Sequence, residues 1–119
     1  MKIVINKCYG GFGLSSKAMQ AYAAKKGITL YPEEKGSYTI YWTVPKDERI
    51  DNKHAEQTLY DRDIDRDDPI LVEVVEELGK EASDHLADLE CVEVPDGVSW
   101  QIEDYDGNEW ISEKHQTWG

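Results

Sequence analysis

The apolar pattern opens with Lys2–Asn6 (KIVIN), a β-branched run suited to a strand, which stops at a loop holding Gly10, Gly11 and Gly13. A helix is expected next. Ser15 supplies an N-cap, Leu14 and Met19 a hydrophobic staple, and Lys25, Lys26 and Gly27 a C-terminal stop, so the spacing predicts a helix over Ser16–Lys26. Ala18, Ala21, Tyr22 and Lys25 fall on one of its faces, with the Lys25 stem along apolar surface. Ile28–Tyr31 reads as a short strand closed by Pro32, and Glu33–Ser37 as a polar turn. Tyr38–Val44 (YTIYWTV), aromatic and β-branched and ended by Pro45, is the clearest strand in the chain.

Residues 46–68 lack periodicity and read as one long polar loop with a turn near Gln57–Tyr60; a loop of that length is usually functional or mobile. Asp68 then caps a second helix, with Pro69 at its first position and Gly79 near its end. Ile70, Leu71, Val74, Val75 and Leu78 form the apolar stripe of that helix, and Glu73, Glu76 and Glu77 face water. Leu89–Val94, Val98–Asp104 and Glu109–Lys114 are short alternating segments separated by Pro95-Asp96-Gly97 and Asp106-Gly107-Asn108, both turn signals. Val98, Trp100 and Ile102 alternate inward, leaving Ser99, Gln101 and Glu103 outward. Together these elements predict a single α+β domain over residues 1–119, two helices packed on one face of a mostly antiparallel sheet that ends in a C-terminal β-meander.

Charge changes this picture. The 119 residues hold 13 Lys+Arg against 25 Asp+Glu, a net charge of −12, and the two signs are separated along the chain. Through Lys46 there are seven lysines and two glutamates; from Asp47 onward there are 6 basic and 23 acidic residues. Such an acidic balance argues against direct binding to nucleic-acid backbone or to an anionic membrane, both of which reward clustered Lys and Arg. It leaves room for a small anion on the basic first third, or for the acidic remainder to face a basic surface of another protein. No apolar run approaches the roughly 20 residues that span a bilayer, and the N-terminus lacks the pattern of a signal peptide. A cytoplasmic protein is expected. Cys8 and Cys91, with no metal-ligand spacing, read as buried reduced thiols.

The segment from Lys7 to Lys17 (KCYGGFGLSSK) is the most informative candidate site, because a strand leads into it and a capped helix leaves it. Gly10, Gly11 and Gly13 would let backbone N–H groups approach a phosphate, assisted by the helix start at Ser15 and Ser16 and by the charges of Lys7 and Lys17. Tyr9 and Phe12 would stack on a base. The segment matches neither G-x-x-x-x-G-K-[ST] nor G-x-G-x-x-G with its acidic partner, so a tight strand-to-helix turn is the alternative. Asp61–Asp68 (DRDIDRDD) imitates a calcium loop but has Arg66 where glycine is required and Val72 where glutamate is required. Arg62 and Arg66 there either form local ion pairs or clamp a ligand phosphate. His54, His85 and His115 are too scattered for a metal site, and no nucleophile elbow is present, so neither a cofactor nor a catalytic residue is expected. Trp110, His115 and Trp118 offer either a recognition surface or core packing. The acidic remainder suggests either mimicry of nucleic-acid charge or plain solubility.

Three stretches, Met1–Ser15 (MKIVINKCYGGFGLS), Arg62–Pro69 (RDIDRDDP) and Glu103–Gly107 (EDYDG) continued by Glu113–Trp118 (EKHQTW), resemble a family of small proteins carried by tailed phages and prophages. The resemblance spans nearly the whole chain. It implies a phage setting, hence the host cytoplasm, and no particular chemistry. Small accessory proteins in that setting often counter host defence, either by sequestering a nucleotide signal or by blocking a defence protein. The partners implied are thus a nucleotide-derived small molecule, bound without being cleaved, or a host defence protein whose nucleic-acid-binding surface the chain occupies. A homo-oligomer is compatible with either.

Overall fold

The computed structural model describes residues 1–113. Its elements are β1 (Lys2–Asn6), α1 (Ser16–Lys26), β2 (Tyr31–Lys35), β3 (Tyr38–Trp42), α2 (Pro69–Leu78), β4 (Leu89–Glu93), β5 (Trp100–Tyr105) and β6 (Asn108–Glu113), with short 3₁₀ turns between β3 and α2 and after α2. The fold is α+β. Its strands form three antiparallel pairs, β1–β4, β2–β3 and β5–β6, and the C-terminal pair is a hairpin. The expected meander is therefore divided: its last two strands make the hairpin, while Leu89–Glu93 turns back to pair with the N-terminal strand, Ile3 opposite Val92 and Ile5 opposite Glu90.

The β1–β4 pair lies between two layers, which explains why KIVIN is apolar at successive positions rather than at alternate ones. Val4 packs with α1 and α2 against Met19, Tyr22, Leu71 and Val75. Ile3 and Ile5 point the other way, into a second cluster with Val94, Val98, Trp100, Ile102 and Ile111 of the hairpin side. All three β1 side chains are at most 1% exposed.

Ser15 caps α1 by accepting from Ala18 N–H, and Gly27 closes it at φ 75°. The buried face of α1 is Ala18, Met19, Tyr22 and Ala23; Lys25, expected along that face, instead reaches across to Glu73 and Glu77 of α2. Asp68 caps α2 through Ile70 N–H and also accepts from the Tyr22 hydroxyl at 2.7 Å, tying the two helices together. Residues 31–35, expected to divide between a strand end and a turn, form β2, whose Pro32 is tolerated because the pair has open edges.

The expected loop from Lys46 to Asp68 is ordered by side chains. Gln57, 7% exposed, accepts from Ile50 N–H and donates to the carbonyls of Ile50 and Lys53. Thr43 N–H donates to Gln57 O and Leu59 N–H to Tyr41 O, so the segment runs back along β3. No helix among the described residues is long and apolar enough to cross a membrane.

Candidate functional site

The last residue of β1 organises the region that the glycine spacing singles out. Asn6 is fully buried and makes four side-chain bonds. Its Nδ2 donates to Cys8 O (2.8 Å) and Gly107 O (2.7 Å), and its Oδ1 accepts from Cys8 N–H (3.2 Å) and Asp88 N–H (2.8 Å). One amide thus joins three loops: the glycine loop after β1, the segment before β4 and the β5–β6 turn. A buried Asn with every donor and acceptor satisfied fixes such a junction firmly.

Behind Asn6 lies a buried ion pair. Arg66 donates to both oxygens of Glu109, at 2.6 and 2.9 Å, and to Val4 O at 3.2 Å; Glu109 also accepts from Asn6 N–H at 2.8 Å. The guanidinium lies 3.6 Å from the centre of the Phe12 ring. The structure therefore gives Arg66 and Phe12 internal partners.

The glycines allow close packing at this junction. A Cβ on Gly13 would stand 2.6 Å from Asp84 Cγ, and one on Gly107 would stand 2.8 Å from Gly11 Cα. Gly10 lies against Leu86. Several loop amides are engaged within the chain: Lys7 N–H donates to Asp88 O, Leu14 N–H to Asp61 Oδ2 at 3.0 Å and Ser15 N–H to Ala82 O. The Leu14 N–H is thus taken by a carboxylate of this chain. The lysines of the first third do not cluster: Lys17 pairs with Glu81, Lys2 with Glu76, Lys25 with Glu73 and Glu77, and Lys26 with Asp68. These four lysines are thereby paired with acidic residues of the second charge half, while Lys7 is exposed and has no ion pair among the described residues. Arg62 is exposed and lies over the Tyr60 ring at 4.8 Å.

Two surfaces result. On the junction, three large side chains are exposed, Tyr9 (67%), Leu86 (52%) and Tyr105 (67%), one from each loop. Asp88, Asp104 and Asp106, on the same segments, are exposed and are not ion-paired among the described residues. Beside the junction lies a cleft of about 500 Å³, where the start of α1, β3 and the 83–85 segment converge. Its lining includes Tyr38, Tyr41, Tyr60, Asp61, Asp84 and His85, and of the residues expected to bind a ligand only Ser15 and Ser16. Ser16 Oγ and the Tyr41 hydroxyl are 2.6 Å apart, and His54 Nε2 and the Tyr60 hydroxyl 2.7 Å apart. Asn6, Glu109, Leu86 and Tyr105 were not predicted as site residues; a polar Asn ending a β-branched strand was the one local signal.

No group of three or more His, Cys, Asp or Glu side chains suited to a metal occurs among the described residues. Cys8 and Cys91 are free and partly buried, less enclosed than expected, and burial pushes the Cys91 thiol up. Of the C-terminal recognition residues, Trp110 is exposed and donates to Glu103, while His115 and Trp118 lie outside the described residues. No protein family, no curated protein and no solved structure matches this chain.

Proposed function

We propose that the chain is a non-catalytic, acidic binding module that docks on a basic surface of another protein and blocks it. The observation that carries this reading is the junction itself: three large exposed side chains, two of them tyrosines, on segments tied together by one buried amide that also carry the exposed carboxylates Asp88, Asp104 and Asp106. Tyrosine is favoured at interface hot spots because it offers large contact area at low entropic cost, and exposed carboxylates speed encounter with a basic partner. In the phage setting that the sequence resemblance implies, the nucleic-acid-binding surface of a host defence protein is the partner class to test first.

Sequestration of a phosphate-bearing nucleotide by the glycine loop is the competing reading. It has less support, since Leu14 and Ser15 amides, Lys17 and Arg66 are all engaged within the chain.

The test is affinity capture from host extract with the chain and with a Tyr9→Ala/Tyr105→Ala variant. These positions are two-thirds exposed, so the variant keeps the fold. We expect a basic protein, released by salt, that is captured at least about tenfold less by the variant and loses nucleic-acid binding when the chain is bound. Capture indifferent to the variant refutes docking through this face. Calorimetric binding of a linear or cyclic nucleotide, recovered intact after denaturation and lost in folded Gly11→Val, would establish sequestration instead.

A further inference from the structure

We infer that the cleft beside the junction is an anchor pocket for an arginine side chain of the partner protein, an inference that rests on the docking reading. The 83–88 segment connects the two surfaces: Ser83, Asp84 and His85 line the cleft, and Leu86 stands on the junction. A partner covering Leu86 therefore lies within a side chain's reach of the cleft.

The lining selects the charge. Asp61 and Asp84 both contribute, and no Lys or Arg does, so a phosphate entering the cleft meets two carboxylates. Each has one oxygen bonded to a backbone amide, Asp61 Oδ2 to Leu14 N–H and Asp84 Oδ1 to Leu86 N–H, which fixes the carboxylates in position. Asp61 Oδ1 makes no hydrogen bond among the described residues. Tyr38, 62% exposed, adds an aromatic face to the lining.

The chain already holds guanidinium groups with these two ingredients. Arg66 lies 3.6 Å over Phe12 while bonded to Glu109, and Arg49 lies 3.9 Å over Trp42 while bonded to Glu33. Both sites pair one aromatic face with one carboxylate, and the cleft lining holds both kinds of group, Tyr38 and the carboxylates of Asp61 and Asp84. A planar fork suits it better than the compact ammonium of lysine, because a guanidinium stacks on a ring and donates to a carboxylate at the same time.

The test is an amide NMR titration of the full chain with N-acetyl-arginine-N-methylamide, with the lysine analogue and AMP run in parallel. We expect saturable shifts confined to Ser16, Tyr38, Thr39 and residues 83–85, and weaker binding of the lysine analogue. Asp84→Asn, which keeps the shape beneath Gly13, should weaken arginine-analogue binding about tenfold or more, and Tyr38→Ala, remote from the core, about twofold to fivefold. The Tyr9→Ala/Tyr105→Ala variant should titrate as the parent does. Absence of saturable shifts at the cleft, shifts unaltered by both cleft variants, or stronger shifts there with AMP overturns the pocket. Loss of the pocket with capture still dependent on Tyr9 and Tyr105 leaves the docking reading standing; failure of capture with an intact titration does the reverse.

Discussion

Replacing Glu109 by Ala removes the acceptor on which β1, β6 and the Arg66 segment converge. Glu109 is 7% exposed and accepts three bonds, two from Arg66 and one from Asn6 N–H. Without it Arg66 retains only Val4 O at 3.2 Å and the Phe12 ring, and a buried backbone N–H loses its acceptor. Breaking one side of a buried pair costs about 3–5 kcal/mol, and an unsatisfied amide about 1–3 kcal/mol where water cannot reach it. The Arg66 side chain is 20% exposed, so water will compensate part of this, and a total of about 3–4 kcal/mol is expected. At about 3–6 °C per kcal/mol for a domain of this size, the melting temperature should fall by about 10–20 °C. Urea denaturation followed by far-ultraviolet circular dichroism measures the loss in Glu109→Ala, Arg66→Met and the double variant. The double should lose clearly less than the sum of the singles, because the second change removes the stranded charge. A loss below about 1 kcal/mol for Glu109→Ala, or additivity within about 0.5 kcal/mol, would refute the network's place at the centre of the fold.

Gly13→Ala should destabilise by about 1–3 kcal/mol through contact with Asp84, and Gly13→Ala/Asp84→Ala should recover part of it, read by the same denaturation. Burial raises the Asp68 carboxyl, but the Tyr22 hydroxyl, the Ile70 N–H and Lys26 outweigh it and hold the group below its ordinary 3.8. A lowered folded value stabilises the fold fully above that ordinary value and loses the contribution as pH falls below it, so Asp68→Asn should flatten the acid limb of the stability profile. Tyr22, raised by burial and by its bond to Asp68, should ionise at higher pH in the folded chain than in the urea-unfolded chain, which absorbance near 295 nm follows. In a Cys8→Ser variant, Cys91 should react with a disulfide reagent more slowly than a free thiol, and urea should abolish the difference.

The local grammar of the chain was readable wherever a signal lay within a few residues. Ser15, Gly27, Asp68 and Pro69 mark both helices because caps satisfy backbone groups one turn away. The alternation of Val98, Trp100 and Ile102 identified the face that packs on Ile3 and Ile5. Partner choice was not readable: Pro95-Asp96-Gly97 reads the same whether the next strand joins its neighbour or crosses to another layer. β2 was obscured by Pro32, Glu33 and Glu34, which suit an open-edged strand as well as a turn. In and around the glycine loop, the Leu14 N–H, Lys17 and Arg66 are engaged by Asp61, Glu81 and Glu109, which lie 47, 64 and 43 positions away in the chain. No spacing rule reaches that far.

The pairing of Lys2–Asn6 with Leu89–Glu93 also sets an order on events at the ribosome. α1 and the β2–β3 hairpin use neighbours a few residues away and can form while the chain is still growing. β1 cannot: at about 5–20 residues per second, its partner is made roughly 4–17 s after Asn6. During that interval KIVIN, apolar on both faces, has no sheet to join, and its exposed edge is the segment of the nascent chain most open to wrong pairing. Glu109 is made later still, so Asn6 can make its bond to Glu109 only near the end of synthesis.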